Sequence, residues 1–251
     1  MTGEGSDGLP RSRPEALFVT TRWSVVLAAR DNTCPDAAQA LETLCRTYWY
    51  PVYAFMRSQG RQPDDAQDLT QEFFARLLAK DFLRAVQPDK GRFRTFLRMA
   101  LKRFLANEYD HRHAQKRGGG SAHVSFDTKL AEQRFRSEPA GRQAPDRSYD
   151  RRWALALLDE ALARLTRECA AAGKTVELEH LKPHLTAERG ALPYAELAAA
   201  LRTTAGAARV AVHRLRKRFR EHFRAAIADT VSGPEEAESE FREVIQILRE
   251  G

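Results

Sequence analysis

Residues 64–78 read DDAQDLTQEFFARLL. On a helix, where successive side chains turn by about 100°, this stretch separates into two faces. One face carries the apolar side chains Ala66, Leu69, Phe73, Phe74 and Leu77. The other carries the carboxylates Asp64, Asp65, Asp68 and Glu72. The stretch therefore predicts an amphipathic helix whose apolar side packs in a core and whose acidic side meets solvent.

The acidic face has three explanations. Pro63 followed by two aspartates suits the start of a helix, where carboxylates complement the helix dipole. A catalytic metal site would need carboxylates that converge, whereas neighbours on one convex helix face diverge. A docking surface for a positively charged partner fits the neighbouring Gln71 and small alanines, which let a partner helix approach closely. We expect no catalytic residue and no metal here, and capping and docking both stay open.

The rest of the chain is also helical in pattern. Apolar residues recur at helical spacing on both sides of a stretch rich in Gly, Pro and Ser, and no strand-like alternation is long enough to predict a strand. We predict an all-α protein with two small helical domains, 16–117 and 151–228, joined by a flexible linker, 118–150. A disordered N-terminus, 1–15, precedes them, and an acidic C-terminal extension, 229–251, follows.

The composition favours a protein that binds a polyanion. The 251 residues include 41 Lys and Arg against 34 Asp and Glu, a formal charge of +7. Its three cysteines are widely spaced and form neither a disulfide framework nor a zinc pattern. Neither a signal peptide nor an apolar run of about 18 residues is visible. We expect a cytoplasmic protein with no membrane span and no cofactor.

A first basic surface is predicted on the helix that begins at Phe93. Apolar and aromatic side chains line one side of it, and a second side gathers Arg94, Arg98, Lys102, Tyr109, Arg112 and His113. Cations four residues apart repel by a few tenths of a kcal/mol per pair, a cost that an external polyanion would remove. Cations mixed with aromatic rings also suit single-stranded nucleic acid. A solvated basic face is the alternative.

A second basic surface follows the sequence YAELAAALRTTAGAARV at 194–210. A short helix, a turn and a long basic helix predict a helix-turn-helix in which Thr204 caps the second helix. Between Arg202 and Arg224 there are eight Lys and Arg and one acid, as expected of a helix that enters a DNA groove. Arg209 and His213 lie in the first turns and are best placed for base edges, while the later cations suit phosphates.

Three motifs, in this order, resemble bacterial RNA polymerase sigma factors of the extracytoplasmic-function type. They are DDAQDLTQEFF at 64–74, FRTFL at 93–97, and YAELA at 194–198 followed by HRLRKRFR at 213–220. The resemblance covers about residues 17–228. It implies a sigma factor that binds core RNA polymerase and directs promoter recognition and transcription initiation, driven by binding energy. No ATP-binding motif of the G-x-x-x-x-G-K-[ST] type occurs in the sequence.

The resemblance also assigns residues to partners. The clamp helices of the largest polymerase subunit would bind Asp64, Asp65, Asp68, Gln71 and Glu72. The minus-ten promoter element would meet Arg94, Arg98, Lys102, Tyr109, Arg112 and His113, with the preceding loop at 87–91. The minus-thirty-five element would meet Thr204, Arg209, His213, Arg214, Arg216, Lys217 and Arg220. Control by an anti-sigma protein or a kinase stays open.

The sequence departs from the family pattern in four places. Lys102 stands where an Asn is common, Arg202 stands in the turn where a Gly is common, and residues 166–190 lengthen the join before the helix-turn-helix. The extension after Ala228 carries seven Asp and Glu against two Arg. It could fold over Arg209–Arg220 and weaken DNA binding, or simply pack on the second domain through Val244, Ile245 and Leu248.

Two other classes of protein compete with the sigma factor. A stand-alone helix-turn-helix regulator would use its N-terminal half for ligand binding or dimerisation, and would bind duplex DNA without polymerase. A metal-dependent nuclease would use the acidic face of residues 64–72 and would cleave DNA with magnesium. The single helix-turn-helix and the linker favour bipartite binding by a monomer.

Overall fold

The computed structural model describes residues 37–78, 92–114, 128–138, 144–187, 193–231 and 233–250. Numbered along the chain, its helices are α1 Ala37–Ser58, α2 Pro63–Leu78, α3 Phe93–Ala114, α4 Thr128–Ser137, α5 Pro145–Ala171, α6 Thr175–Leu181, α7 Pro183–Thr186, α8 Tyr194–Ala200, α9 Ala205–Ala228 and α10 Pro234–Arg249. No strand occurs in these ranges, and the all-α prediction is confirmed. The predicted N-terminus, 1–15, lies outside the described residues.

The turn between α1 and α2 depends on a glycine. Gly60 has a φ of +81°, and its N–H donates to the Arg57 carbonyl at 3.0 Å, which closes the end of α1. Helix α2 then begins at Pro63, whose missing N–H would have no partner in a first turn. Asp64 and Asp65 occupy that turn and complement the helix dipole. Their position in the first turn is consistent with the helix-dipole explanation for these two acids, whatever else they do.

An aromatic cluster around Tyr149 and Trp153 of α5 forms the centre of the larger core. The rings of Tyr48 and Trp153 stack with centroids 3.9 Å apart, and Phe93 lies 5.8 Å from Trp153. Tyr149, one turn earlier on α5, meets Phe55 edge to face at 5.9 Å. All five side chains are at most 2% exposed. Because they come from both sides of the predicted linker, the two halves of the chain share one hydrophobic core.

A second core lies under the predicted helix-turn-helix. It joins the end of α5 to α6, α8 and α9 through Leu165, Leu178, Leu181, Leu197, Ala208, Val212 and Leu215. Helix α5 therefore contributes to both cores, with Trp153 in the first and Leu165 in the second. The stretch at 166–190 that lengthens the family pattern supplies α6 and α7, and so completes this second core.

The predicted linker, 118–150, contains a helix that the sequence reasoning missed. Helix α4 packs on α1, where Glu132 accepts hydrogen bonds from the Tyr53 hydroxyl at 2.6 Å and from Arg57 Nε and Nη2 at 2.9 Å each. The hydrogen bonds from Arg57 and Tyr53 lower the pKa of Glu132 to about 2. Local sequence patterns did not reveal this helix because Gly- and Pro-rich segments flank it, and because its partners on α1 lie about 80 residues earlier in the chain.

Helix α5 also begins earlier than expected. The sequence placed its start at Arg151, but the helix starts at Pro145 and so includes Asp146, Tyr149 and Asp150. The proline at the first helical position makes this start favourable. These added residues bring two carboxylates to the first turns of α5.

No helix in the described ranges is long and apolar enough to cross a membrane.

Replacing Glu132 with Gln should lower the free energy of unfolding at neutral pH by about 2 kcal/mol, the usual contribution of a hydrogen bond to a charged group. Because the pKa of Glu132 is lowered from 4.5 to about 2, its contribution is complete above pH 4.5 and is lost as the pH falls toward 2. Denaturant titrations of both proteins between pH 7 and 2 should therefore converge in acid. The exposed Glu179→Gln variant is the control, and a difference between wild type and Glu132→Gln that does not change with pH would contradict the assignment.

Candidate functional site

The acidic face of α2 lies on the surface. Asp64, Asp65 and Asp68 are exposed, while Gln71 and Glu72 are partly exposed. The opposite face is buried, with Ala66, Leu69, Phe73, Phe74 and Leu77 at most 5% exposed. The amphipathic pattern of residues 64–78 thus has the orientation that the sequence predicted.

Arg76 ties this acidic face to α3. Its Nη2 atom lies 2.5 Å from Glu72 and 2.7 Å from Glu108, and its guanidinium stacks over the Phe104 ring at 5.1 Å. Glu72 is thus partly neutralised. The four-residue spacing of Glu72 and Arg76 could have revealed the first of these pairs, but the contact with Glu108 is visible only in the fold.

The acidic face does not gather metal ligands. Across the described ranges, no group of three or more His, Cys, Asp and Glu is placed to hold a metal ion.

The basic face of α3 is covered by acids from other helices. Arg94 is 3% exposed, and its guanidinium lies against Glu243, 3.3 Å from Glu240 and 3.4 Å from Asp150. Arg98 binds Asp150 at 2.8 Å, and Lys102 binds Asp146 at 2.7 Å.

These partners stand between 44 and 149 residues along the chain from their cations, and helical spacing could not predict them. Of the other predicted minus-ten residues, the side chains of Tyr109, Arg112 and His113 lie outside the described residues, as does the loop at 87–91.

Arg92, which the sequence did not single out, belongs to the same cluster. It binds Glu240 through Nε at 2.9 Å, contacts Glu243, and donates to Ser239 Oγ at 3.0 Å. Glu240 is completely buried, and this burial raises its pKa although two guanidiniums face it. Burial likewise raises the pKa of Asp150. The cluster is therefore a partly buried ionic junction between α3, α5 and α10, with Arg94 and Glu240 at its buried centre.

Helices α8 and α9 meet through a tight turn. Thr204 accepts a hydrogen bond from the Ala207 N–H at 3.2 Å and so caps α9, as predicted. Arg202, which stands where the family pattern often has glycine, adopts a φ of +50°. This left-handed conformation costs a non-glycine residue on the order of 1 kcal/mol, which the packing of Leu197 and Ala198 against α9 offsets.

Most cations of α9 are exposed, and some are anchored by protein groups. The exposed residues are Arg209, His213, Arg214, Lys217, Arg218, Arg220 and Arg224, of which Arg218 and Arg224 also form ion pairs. The guanidinium of Arg209 lies over the Tyr194 ring at 5.3 Å, which holds it at the start of the helix.

Arg216 and Arg218 are held by protein groups. Arg216 donates to the backbone carbonyls of His184 and Ala187 at 2.7 to 2.9 Å. Arg218 pairs with Glu168 at 2.7 Å and with Glu221 at 2.6 Å. The sequence assigned phosphate binding to all the later cations of α9. It could not reveal the role of Arg216, because its partners lie in α7 and in the segment after it, about 30 residues earlier in the chain.

The family model for ECF sigma factors matches residues 37–224, three quarters of the chain. The protein belongs to the ECF sigma factor family. It therefore has a sigma factor's role in transcription initiation, in a non-enzymatic family that binds core RNA polymerase and promoter DNA. No curated protein and no solved structure matches the chain. The matched region ends before α10, so the sigma factor carries this helix beyond the family pattern.

Replacing Arg216 with Ala should lower the free energy of unfolding by about 2 to 3 kcal/mol, because two backbone carbonyls would lose a charged donor. The exposed Arg220→Ala variant, four residues along the same helix, should change it by less than about 0.5 kcal/mol. Thermal and denaturant unfolding of both variants measures the contrast. Equal stabilities of the two variants would show that the contacts of Arg216 with α7 carry little energy.

Proposed function

We propose that this ECF sigma factor docks on core polymerase through the acidic face of α2, captures the melted minus-ten element with α3, and reads the duplex minus-thirty-five element with α9. The observation that carries this proposal is the separation of exposed charge, negative on α2 and positive on the first half of α9. Between them these surfaces suit one basic protein partner and one polyanion.

The polymerase contact rests on Asp64, Asp65, Asp68, Gln71 and Glu72. Their side chains reach solvent from a helix that is firmly anchored by its apolar side, and exposed Ala75 leaves room for close approach. The resemblance names the partner as the clamp helices of the largest polymerase subunit. A basic coiled coil would supply the positive charge that these carboxylates need, and no metal ion is required for that role.

The minus-thirty-five contact rests on the exposed residues at the start of α9. Arg209 and His213 stand in the first turns, from which a recognition helix reaches base edges in the major groove. Arg214, Lys217 and Arg220 are exposed further along and suit phosphates. Thr204 contributes as the cap that orients the helix. Arg216 is better explained as a brace between α9 and α7 than as a phosphate ligand.

The minus-ten contact rests on α3, whose charge and aromatic content match a single strand. In this structure, however, Arg94, Arg98 and Lys102 face carboxylates of the same chain. Capture of the minus-ten strand by these cations therefore requires that the carboxylates move away.

Replacing Asp68 with Asn and Glu72 with Gln together should weaken binding to core polymerase by tenfold or more, because the partner's cations would lose their counter-charges. The matched control is Asp159→Asn with Glu235→Gln, which removes the same charge from α5 and α10. Fluorescence titration with purified core enzyme at several salt concentrations measures both pairs. A double variant that binds core enzyme within twofold of wild type would exclude this docking face.

Replacing Arg209 with Ala should relax the preference at one minus-thirty-five position by about 1 to 3 kcal/mol, as expected if its contact with a base is bidentate. Lys217→Ala is the comparison. It should weaken binding to all promoters equally and lower the salt slope of the binding constant by about 0.9. Transcription from a randomised promoter library by the reconstituted holoenzyme measures both. If Arg209→Ala instead weakens transcription equally from all sequences, Arg209 contacts a phosphate and not a base. If the wild-type holoenzyme gives no transcription, the proposed promoter contacts are wrong.

A further inference from the structure

We propose that α10 and the first turns of α5 form a latch that closes the minus-ten surface of α3 in the free protein and must open before promoter DNA is captured. This inference rests on the proposed DNA-binding function of α3. It concerns the segment that lies beyond the family match, and the role of its acidic residues.

The latch is a charge-matched contact. Three guanidiniums on and beside α3, those of Arg92, Arg94 and Arg98, meet three carboxylates: Asp150 of α5, and Glu240 and Glu243 of α10. Guanidiniums bind phosphates with the same groups and geometry that they use for carboxylates. Promoter phosphates and the latch carboxylates would therefore compete for the same cations.

The burial shows that this competition is exclusive. Glu240 is 0% exposed and Arg94 is 3% exposed, so neither can meet solvent or DNA while α10 is in place. The Phe93 N–H also donates to the Thr230 carbonyl at 3.2 Å, which ties the start of α3 to the segment just before α10. A nucleic acid cannot be added to this surface; it can only replace the latch.

The spacing of the two promoter elements leads to the same conclusion. Their names place them about 25 base pairs apart, about 85 Å along straight duplex DNA at about 3.4 Å per base pair. Here α3 contacts Asp150 and α9 contacts Glu168, two positions that lie about 27 Å apart along α5 at about 1.5 Å per residue. The nine residues of α9 from Arg218 back to Arg209 add about 14 Å at about 1.5 Å per residue, so the two DNA surfaces are separated by about 40 Å. The closed arrangement cannot span both elements of a straight promoter, and opening at the α3 contact would allow it.

The rest of α10 is held by a modest apolar strip. Val244 is buried, and Ile245 and Leu248 pack on the core at its edge. Phe241 meets Phe223 edge to face at 5.9 Å, and Arg224 lies over the Phe241 ring.

These contacts correct one of the two sequence-based hypotheses for the extension. Its ion pairs reach Arg92 and Arg94 at α3, Arg164 on α5 and Arg224 at the end of α9, instead of the Arg209–Arg220 row. Packing through Val244, Ile245 and Leu248 is present. A buried ionic cluster fixes one geometry yet adds little net stability, because its charges regain hydration when it opens. Such a contact suits a reversible closure.

The test uses the full chain with Glu240→Gln and Glu243→Gln, which keep side-chain shape and remove the latch charges. The matched control is Glu235→Gln with Glu250→Gln, which removes two charges from the two ends of the same segment. The probe is a fluorescein-labelled single-stranded DNA of mixed sequence, about 12 nucleotides long, followed by anisotropy against salt. The latch variant should bind at least tenfold more tightly than the control, with a salt slope steeper by about 0.7 for each additional phosphate that its cations neutralise. Affinity and slope equal to those of the control, together with unchanged hydrogen exchange in residues 93–104, would overturn the proposal.

Hydrogen exchange separates the latch from the proposed function. Amides in residues 93–104 should exchange faster in the latch variant than in the control, and unchanged exchange would overturn the latch. Faster exchange without tighter DNA binding would support the latch and refute the minus-ten assignment of α3. Binding of every variant to core polymerase through α2 should remain at the wild-type level.

A single substitution keeps the test decisive if the double Gln variant fails to fold. Glu243→Gln alone removes the latch carboxylate that is 44% exposed and leaves the buried Glu240 in place, so this variant should fold. Exchange in residues 93–104 should be faster, and binding of the single-stranded DNA tighter, than in Glu235→Gln. Exchange equal to that of Glu235→Gln would overturn the latch.

Discussion

The stacking of Tyr48 on Trp153 is the contact on which the arrangement of the described helices depends. It places α1 against α5, and α5 then extends past the first core to Leu165 in the second. Every surface with a proposed partner is positioned from this helix, since α2 packs on α1, α3 packs on α5, and α9 lies along the far end of α5. A buried aromatic stack of this kind contributes through area and through ring geometry together. It explains why two halves that the sequence separates with a linker are found as neighbours.

Charge is distributed unevenly over this frame. On α2 the carboxylates of Asp64, Asp65 and Asp68 reach solvent, and on the first half of α9 the cations do so. On α3 the cations are met by acids of the same chain, and the result is a nearly neutral junction whose centre, Arg94 and Glu240, is buried. A chain with a formal charge of +7 would be expected to expose its basic surfaces to a polyanion. One of these basic surfaces, on α3, is instead covered by acids of the same chain. The sequence motifs taken one by one do not predict this.

The sequence was sufficient for whatever depends on local periodicity. The faces of α2, the cap at Thr204 and the two-helix unit of α8 and α9 follow from spacing and turn chemistry, which act within a few residues. It was insufficient where partners are distant. Helix α4, the brace of Arg216 on α7, and the pairing of Arg94 with Glu240 and Glu243 each join positions 29 or more residues apart, and no local pattern encodes them. A row of like charges indicates only that counter-charges are needed; it does not say whether they belong to DNA or to the chain itself.

Closure of α3 has an energetic consequence for how a sigma factor works. If the closed form exceeds the open form a hundredfold, DNA affinity is lowered by the same factor, about 2.7 kcal/mol. Free protein would then bind single-stranded DNA poorly and leave other melted DNA in the cell unoccupied. The proposed polymerase contact lies on α2, which is joined to α3 through Arg76 but does not use the latch cations. Core enzyme can therefore be bound in either form, and an equilibrium that favours closure suppresses DNA binding by the free protein without reducing the affinity for polymerase.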